Sequence, residues 1–196
     1  IAQSPELQMG FRKSIEYKLD KHWKNNQRGF MSFGLVQLGQ AATSLGEGEL
    51  AYHCLKHLVN RFWLNNLASM HNHRSLFNMD ISGGMPAVII KMLVASEPGT
   101  IRLLPALPKA WPSGTIEGVL CRGQIEIQSL HWSPGKVLVK LLASRKQTVT
   151  LSFPSHVTHS MVRQGDAEIG MGTNHKSVIV TLPAQKEVTL EISTDS

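Results

Sequence analysis

The spacing of apolar positions changes once along this chain, near residue 98. Before that point it repeats every 3.6 residues, and after it every two. Residues 6–23 place Leu7, Phe11, Ile15 and Leu19 four apart with polar residues between them, which predicts a helix that buries one face. Residues 25–29 (NNQRG) interrupt the pattern. Ser32 stands where an N-cap would, ahead of a second helix carrying Leu35, Leu38, Ala42 and Leu45. Gly46-Glu47-Gly48 then turns the chain. A third helix is expected from Glu49 to Phe62, with Leu50, Cys54, Leu58 and Phe62 inward. Residues 64–83 read as a long polar and aromatic loop, and loops longer than about 12 residues in compact domains are often functional. Ser82 is expected to cap a fourth helix, with Pro86 in its first turn and Pro98-Gly99 as its stop.

Beyond Pro98 the segments 101–104, 124–130, 137–142, 148–153, 157–162, 177–182 and 187–192 alternate like short strands. Turn residues such as Ser133-Pro134-Gly135 and Pro154-Ser155 separate them, as in an antiparallel sandwich. The fold class expected is α+β. Residues 1–97 form a segment of four helices and residues 98–196 a C-terminal antiparallel β-sandwich domain. No repeat or low-complexity tract is visible.

Composition narrows the function classes. The hydrophobic fraction is 42% and the net charge +6. Lysines and arginines divide ten and ten between residues 1–100 and 101–196, and the acids seven and seven. Nucleic-acid binders concentrate positive charge on one stripe, so this even spread speaks against a nucleic-acid partner. No run reaches the ~18 apolar residues of a membrane span, which speaks against a membrane. The first residues do not form a signal peptide, and Ile1 reads as an internal cut or a matured start. Cys54 and Cys121 make no disulfide framework. They are expected to be buried thiols, and they do not reveal the compartment.

The densest text is residues 77–112. Phe77-Asn78-Met79-Asp80-Ile81-Ser82-Gly83-Gly84 is followed by an apolar helical run. Then come Ile101-Arg102-Leu103-Leu104-Pro105-Ala106-Leu107-Pro108 and Trp111-Pro112-Ser113-Gly114. Gly118 and Arg122-Gly123 continue the pattern, and Leu45-Gly46-Glu47-Gly48-Glu49-Leu50-Ala51-Tyr52 precedes it. Over residues 29–132 this text resembles glycoside hydrolase family 95, whose members include α-L-fucosidases and α-L-galactosidases. The first segment resembles the family's Phe-Gln-Ile-Asp-Gly-Asn-Phe-Gly, with Phe77, Asp80 and Gly84 in common. Ile81, Ser82 and Gly83 depart from it. The family's aromatic and His positions in the helix after Gly29 are not matched either, since Phe30-Met31-Ser32-Phe33 stands there.

The resemblance implies the last part of an (α/α)₆ barrel followed by a β domain. A whole barrel of about twelve helices, at ~11 residues each plus loops, exceeds this chain. The implied activity is exo-hydrolysis of α-linked L-fucose or L-galactose by water, with inversion and without a cofactor. In inverting enzymes one carboxylic acid protonates the leaving oxygen and another group activates water on the opposite face. The family's proton donor, a Glu, and its water-holding Asn residues lie earlier in the barrel. Asp80 matches the acid that polarises those Asn residues, so it is the candidate catalytic residue, and the isolated chain is expected to be inactive. His73, Arg74 and Asn78 are the candidate substrate-binding residues. The implied partner is an L-fucosyl or L-galactosyl glycan, with association to a second copy or to the absent barrel part. The parent enzyme is expected to be secreted or periplasmic.

Blander readings stand beside these. Asp80 reads equally as a helix cap acting with Ser82. His71 and His73 flank Asn72 without a third ligand at a motif spacing, so no metal is expected. His53 and His57 share a helix face but lack the Glu of an H-E-x-x-H motif. Ser82-Gly83-Gly84 is no nucleophile elbow. Trp23, Trp63, Trp111 and Trp132 suit sugar stacking but fit packing patterns better. Two other readings of the whole chain remain open. One is a non-catalytic carbohydrate-binding or structural module. The other is a fragment of another (α/α)₆ enzyme, such as the maltose-phosphorylase-like group.

Overall fold

The computed structural model describes residues 4–24, 31–72 and 75–195, the side chains of 22–24 excepted. The chain divides into two compact units, Ile1–Met92 with Ala106–Pro108, and Leu93–Pro105 with Lys109–Ser196. The described residues form a mixed α+β protein with four helices and two five-stranded sheets.

The first unit contains α1 (Pro5–Lys24), α2 (Ser32–Ser44), α3 (Gly48–Phe62), the short strands β1 (Met70–Asn72) and β2 (Ser75–Phe77), and α4 (Asp80–Leu93). Period 3.6 puts Cys54, Leu58 and Phe62 of α3 inside, as expected, with Leu35 and Ala42 of α2. In α1 the expected inward face is only half covered. Ile15 and Leu19 are buried, whereas Leu7 and Phe11 are exposed. Periodicity shows which face of a helix is apolar, but not how far along it a neighbour extends.

Small residues set the packing of α2 on α4. A Cβ on Gly84 would lie 2.8 Å from a Val36 methyl, and one on Gly39 would lie 3.1 Å from a Val88 methyl. Near the far ends, Lys91 Nζ donates to Ser44 Oγ at 2.8 Å and to the Gln40 carbonyl at 3.3 Å. Residues 36, 39 and 44 thus face 84, 88 and 91 in the same order. The two helices therefore run parallel, with their N-termini at the same end.

Two cap assignments made from sequence change. Met31 is the N-cap of α2, and no side-chain cap bond forms there. Ser32 Oγ is instead buried, with no partner among the described residues. Helix α4 begins at Asp80, so Ser82 lies within its first turn and Pro86 lies in its interior. Its end differs too, because α4 stops at Leu93 and the chain goes directly into a strand. The region read as one loop, residues 64–83, contains the β1–β2 hairpin and the start of α4. The hairpin escapes a periodicity reading because β2 is exposed at every position and no apolar face alternates.

The second unit contains β3 (Val94–Glu97), β4 (Thr100–Leu103), β5 (Gly114–Cys121), β6 (Ile125–Ser133), β7 (Lys136–Ala143), β8 (Gln147–Ser152), β9 (Val157–Gln164), β10 (Glu168–Met171), β11 (Ser177–Leu182) and β12 (Glu187–Thr194). One sheet has the order β10-β11-β8-β4-β3 and the other β5-β6-β7-β12-β9. Alternation buries Val137, Val139, Leu141 and Ala143 of β7 and Val188, Leu190 and Ile192 of β12, as period-two patterning requires. The seven expected strands are present. Strands β3, β5 and β10 join them, short or mostly exposed and so weakly patterned. The ladders are antiparallel except that β4 pairs with β8 in parallel, Thr100 beside Thr150 and Ile101 beside Leu151, which corrects the expectation of purely antiparallel pairing. Among the described residues no helix is long and apolar enough to cross a membrane.

Candidate functional site

The site grows from the hairpin before α4. In the β1–β2 ladder Met70 faces Phe77 and Asn72 faces Ser75. Pairing continues one residue further, because the Asn78 N–H donates to the Ser69 carbonyl at 2.9 Å. Side chains alternate across a strand pair, so Ser69, His71, Leu76 and Asn78 share one face.

Asn78 connects this face to the helix. Its Oδ1 accepts a hydrogen bond from the Asp80 N–H, which meets one of the unpaired donors of the first turn. Met79 holds the N-cap position, and Asn78, two residues before Asp80, closes the start of α4 with the Asx turn that Asn readily makes. Its Nδ2 donates to Asp80 Oδ2 at 3.2 Å and lies 2.8 Å from His71 Nδ1. Beneath it, buried Ser69 donates through Oγ to the Asn78 carbonyl. Ser69 Oγ is also 2.9 Å from Ser82 Oγ. One hydroxyl carries one hydrogen, so Ser82 is the donor in that pair.

Asp80 itself is exposed. Its carboxylate sits on the first turn of a 14-residue helix, where the helix dipole favours negative charge. The parallel packing of α2 and α4 brings a second helix N-terminus to the same end. An exposed carboxylate held from one side by an amide can accept hydrogen bonds from a water or a sugar hydroxyl on its other side. Leu76, Phe77 and Met79 are exposed beside it.

The structure brings Asp80 and Asn78 together. His73 and Arg74 lie outside the described residues. His71, which sequence reading weighed only as a metal ligand, is in direct contact with Asn78. Ser69 was not singled out at all; a buried serine in a polar segment carries no periodic mark. Among the described residues no group of three or more His, Cys, Asp or Glu side chains is placed to hold a metal ion.

His53 and His57 lie elsewhere in the helical unit. With Glu16, Asp20, Leu19 and Leu50 they line a groove of about 430 Å³ between α1 and α3. Burial, followed by the charges of Arg61, His53 and Lys56, holds His57 below the ordinary imidazole range. Trp132 is buried and donates its Nε1–H to the Trp111 carbonyl at 3.0 Å. A Cβ on Gly114 would lie 2.4 Å from the Trp132 ring. The Trp111-Pro112-Ser113-Gly114 motif is therefore built around a packed indole.

Comparison with known proteins gives three findings. The model of the family described as glycoside hydrolase family 95, C-terminal domain, matches residues 95–192. Alpha-L-fucosidase 2 of Arabidopsis thaliana is 30% identical over 149 residues, which covers 70% of this chain and 16% of that protein. The chain thus spans about a sixth of the length of that relative. A solved chain named glycoside hydrolase is similar with a TM-score of 0.37 and 11% identity, over 84% of this chain and 32% of its own. Likeness at that level carries no argument. Asp80 lies before the stretch that the family model matches.

Proposed function

The chain belongs to glycoside hydrolase family 95, and on that premise we propose that it is the C-terminal part of an enzyme that removes α-linked L-fucose or L-galactose from glycan ends. In this reading residues 1–97 are the last part of an (α/α)₆ barrel and residues 98–196 a β-sandwich. The parallel pair α2 and α4 supplies two inner barrel helices whose N-termini border the sugar pocket. The exposed Leu7 and Phe11, one turn apart on the same face of α1, are where the rest of the barrel packs. Exposed apolar surface of this kind ordinarily marks such contacts.

The observation that carries the reading is the division of labour between Asn78 and Asp80. Asn78 closes the start of the helix, and the Asp80 carboxylate is exposed and oriented. Asp80 then polarises the groups that hold the attacking water on the face opposite the leaving oxygen. Product forms with inversion, and no cofactor takes part. Asn78 positions the acid, while His73 and Arg74 reach the sugar hydroxyls. The proton donor lies in the preceding part of the barrel, so the 196-residue chain alone is inactive.

The test is Asp80→Asn in the full-length parent enzyme, assayed on aryl α-L-fucosides and α-L-galactosides. General acid–base groups contribute about 10²–10⁴-fold, and kcat should fall by that much while folding is kept. The first-formed sugar of the unaltered enzyme should be the β anomer by NMR. A near-normal kcat for the variant would exclude the catalytic role. Sugar binding by a parent without any hydrolysis would instead favour a non-catalytic module.

A further inference from the structure

The hydrogen bonds around Asn78 leave little freedom of assignment. The Asp80 N–H can only donate, so the side-chain atom facing it must be the carbonyl oxygen of Asn78. This fixes the amide and turns both Nδ2 hydrogens outward. One goes to Asp80 Oδ2 at 3.2 Å. The other goes to His71 Nδ1 at 2.8 Å, which must therefore present a lone pair. A neutral imidazole that accepts at Nδ1 carries its proton on Nε2. The chain of contacts runs from His71 through Asn78 to Asp80, with Ser69 beneath it pinning the Asn78 backbone.

We propose that His71 is a positioning residue for Asp80, acting through Asn78. This rests on the reading of Asp80 as the group that polarises the attacking water. His71 accepts one amide hydrogen and so locks the side chain in the orientation that closes the start of α4 and donates to Asp80. Without that acceptor one Nδ2 hydrogen is unpaired, and the bond from the Asp80 N–H to Oδ1 alone holds the amide. The 3.2 Å contact to Asp80 Oδ2 then loosens, and the carboxylate shifts. A misplacement of about 1 Å at a reacting group costs on the order of 10²-fold. Protonation of His71 would act in the same direction, because Nδ1–H would face the amide hydrogens. Of the elements packed on β1, β2 and α2 carry no charged or titratable side chain and the last turn of α3 carries Arg61; Asp80 meets His71 only through Asn78.

Two experiments separate this inference from the reading beneath it. In the 196-residue chain, ¹⁵N spectra of the histidine rings report the tautomer directly. His71 should be protonated on Nε2 at neutral pH, and the two Asn78 amide protons should be distinct and shift in His71→Phe. A ring protonated on Nδ1, or an Asn78 amide indifferent to His71→Phe, overturns the proposal whatever Asp80 does. In the full-length parent, His71→Phe should lower kcat about 10²-fold at little change in KM. His71→Gln, whose carbonyl restores an acceptor, should recover most of that loss. A normal kcat for His71→Phe in an enzyme that Asp80→Asn disables would remove the positioning role alone. Normal kcat for both variants would remove the reading and the inference together.

Discussion

Single side chains in the helical unit carry a measurable signature in His57. Burial, ahead of the neighbouring charges of Arg61, His53 and Lys56, lowers its pKa from the ordinary 6.5. Between the folded and unfolded values the unfolded chain binds more protons. Stability therefore rises with pH through that window and levels off above about 6.5. On acidification the contribution is lost as pH falls toward the folded value. Urea unfolding of His57→Gln should show a flatter dependence between pH 5 and 7.5 than the unaltered chain. An unchanged slope would mean that His57 is as free to ionise folded as unfolded. The same residue shows what sequence conveys about a site. Spacing put His53 and His57 on one helix face, and the structure agrees. Only packing decided that His57 is the half-buried member.

At the scale of elements, two adjacent glycines in α4 should respond with opposite sign. A Cβ on Gly83 meets nothing within 4 Å, so Gly83→Ala should stabilise the helix by roughly 0.5–1 kcal/mol. A Cβ on Gly84 would press on Val36 methyls at 2.8 and 3.0 Å. Overpacking costs about 1–3 kcal/mol, which outweighs the gain in helix propensity, so Gly84→Ala should destabilise. Thermal melts of the two variants decide the matter, and shifts of the same sign would contradict the close α2–α4 approach. The family-like text is legible in the same terms. Leu104 takes a left-handed φ of 54° just before Pro105, and its N–H donates to the Leu93 carbonyl at 2.7 Å. The motif marks a chain reversal between strand and loop. It is structural text, which is why it identifies the family better than it identifies chemistry.

For the molecule as a whole, each compact unit holds one free, buried cysteine, Cys54 in the first and Cys121 in the second. Burial pushes the Cys54 thiol up to about 12 and the Cys121 thiol up to about 11. The thiolate is the reactive form, so at pH 8 an aromatic disulfide reagent should label neither at the rate of the unfolded chain. Leu58 is fully buried one turn from Cys54 on α3. Leu58→Ala should cost about 2–5 kcal/mol, and Cys54 should then label faster under native conditions. Rapid labelling of Cys54 in the unaltered chain would contradict the packing described for the first unit.

The sequence by itself determined the four helices, seven of the strands and the family, because each rests on local pattern. A helix or strand with one apolar face repeats its period in the chain, and the family motif is contiguous. The tertiary structure alone decided the rest. The hairpin of Met70–Phe77 is too exposed and too short to alternate. The parallel pairing of β4 with β8 joins residues some fifty positions apart. The Asx turn at Asn78 and the contact from His71 to Asn78 depend on one strand folding back beside another. Local propensity could name Asp80 as a cap or as an acid. The tertiary structure adds that the Asn78 side-chain carbonyl accepts the Asp80 N–H and that Asp80 is exposed.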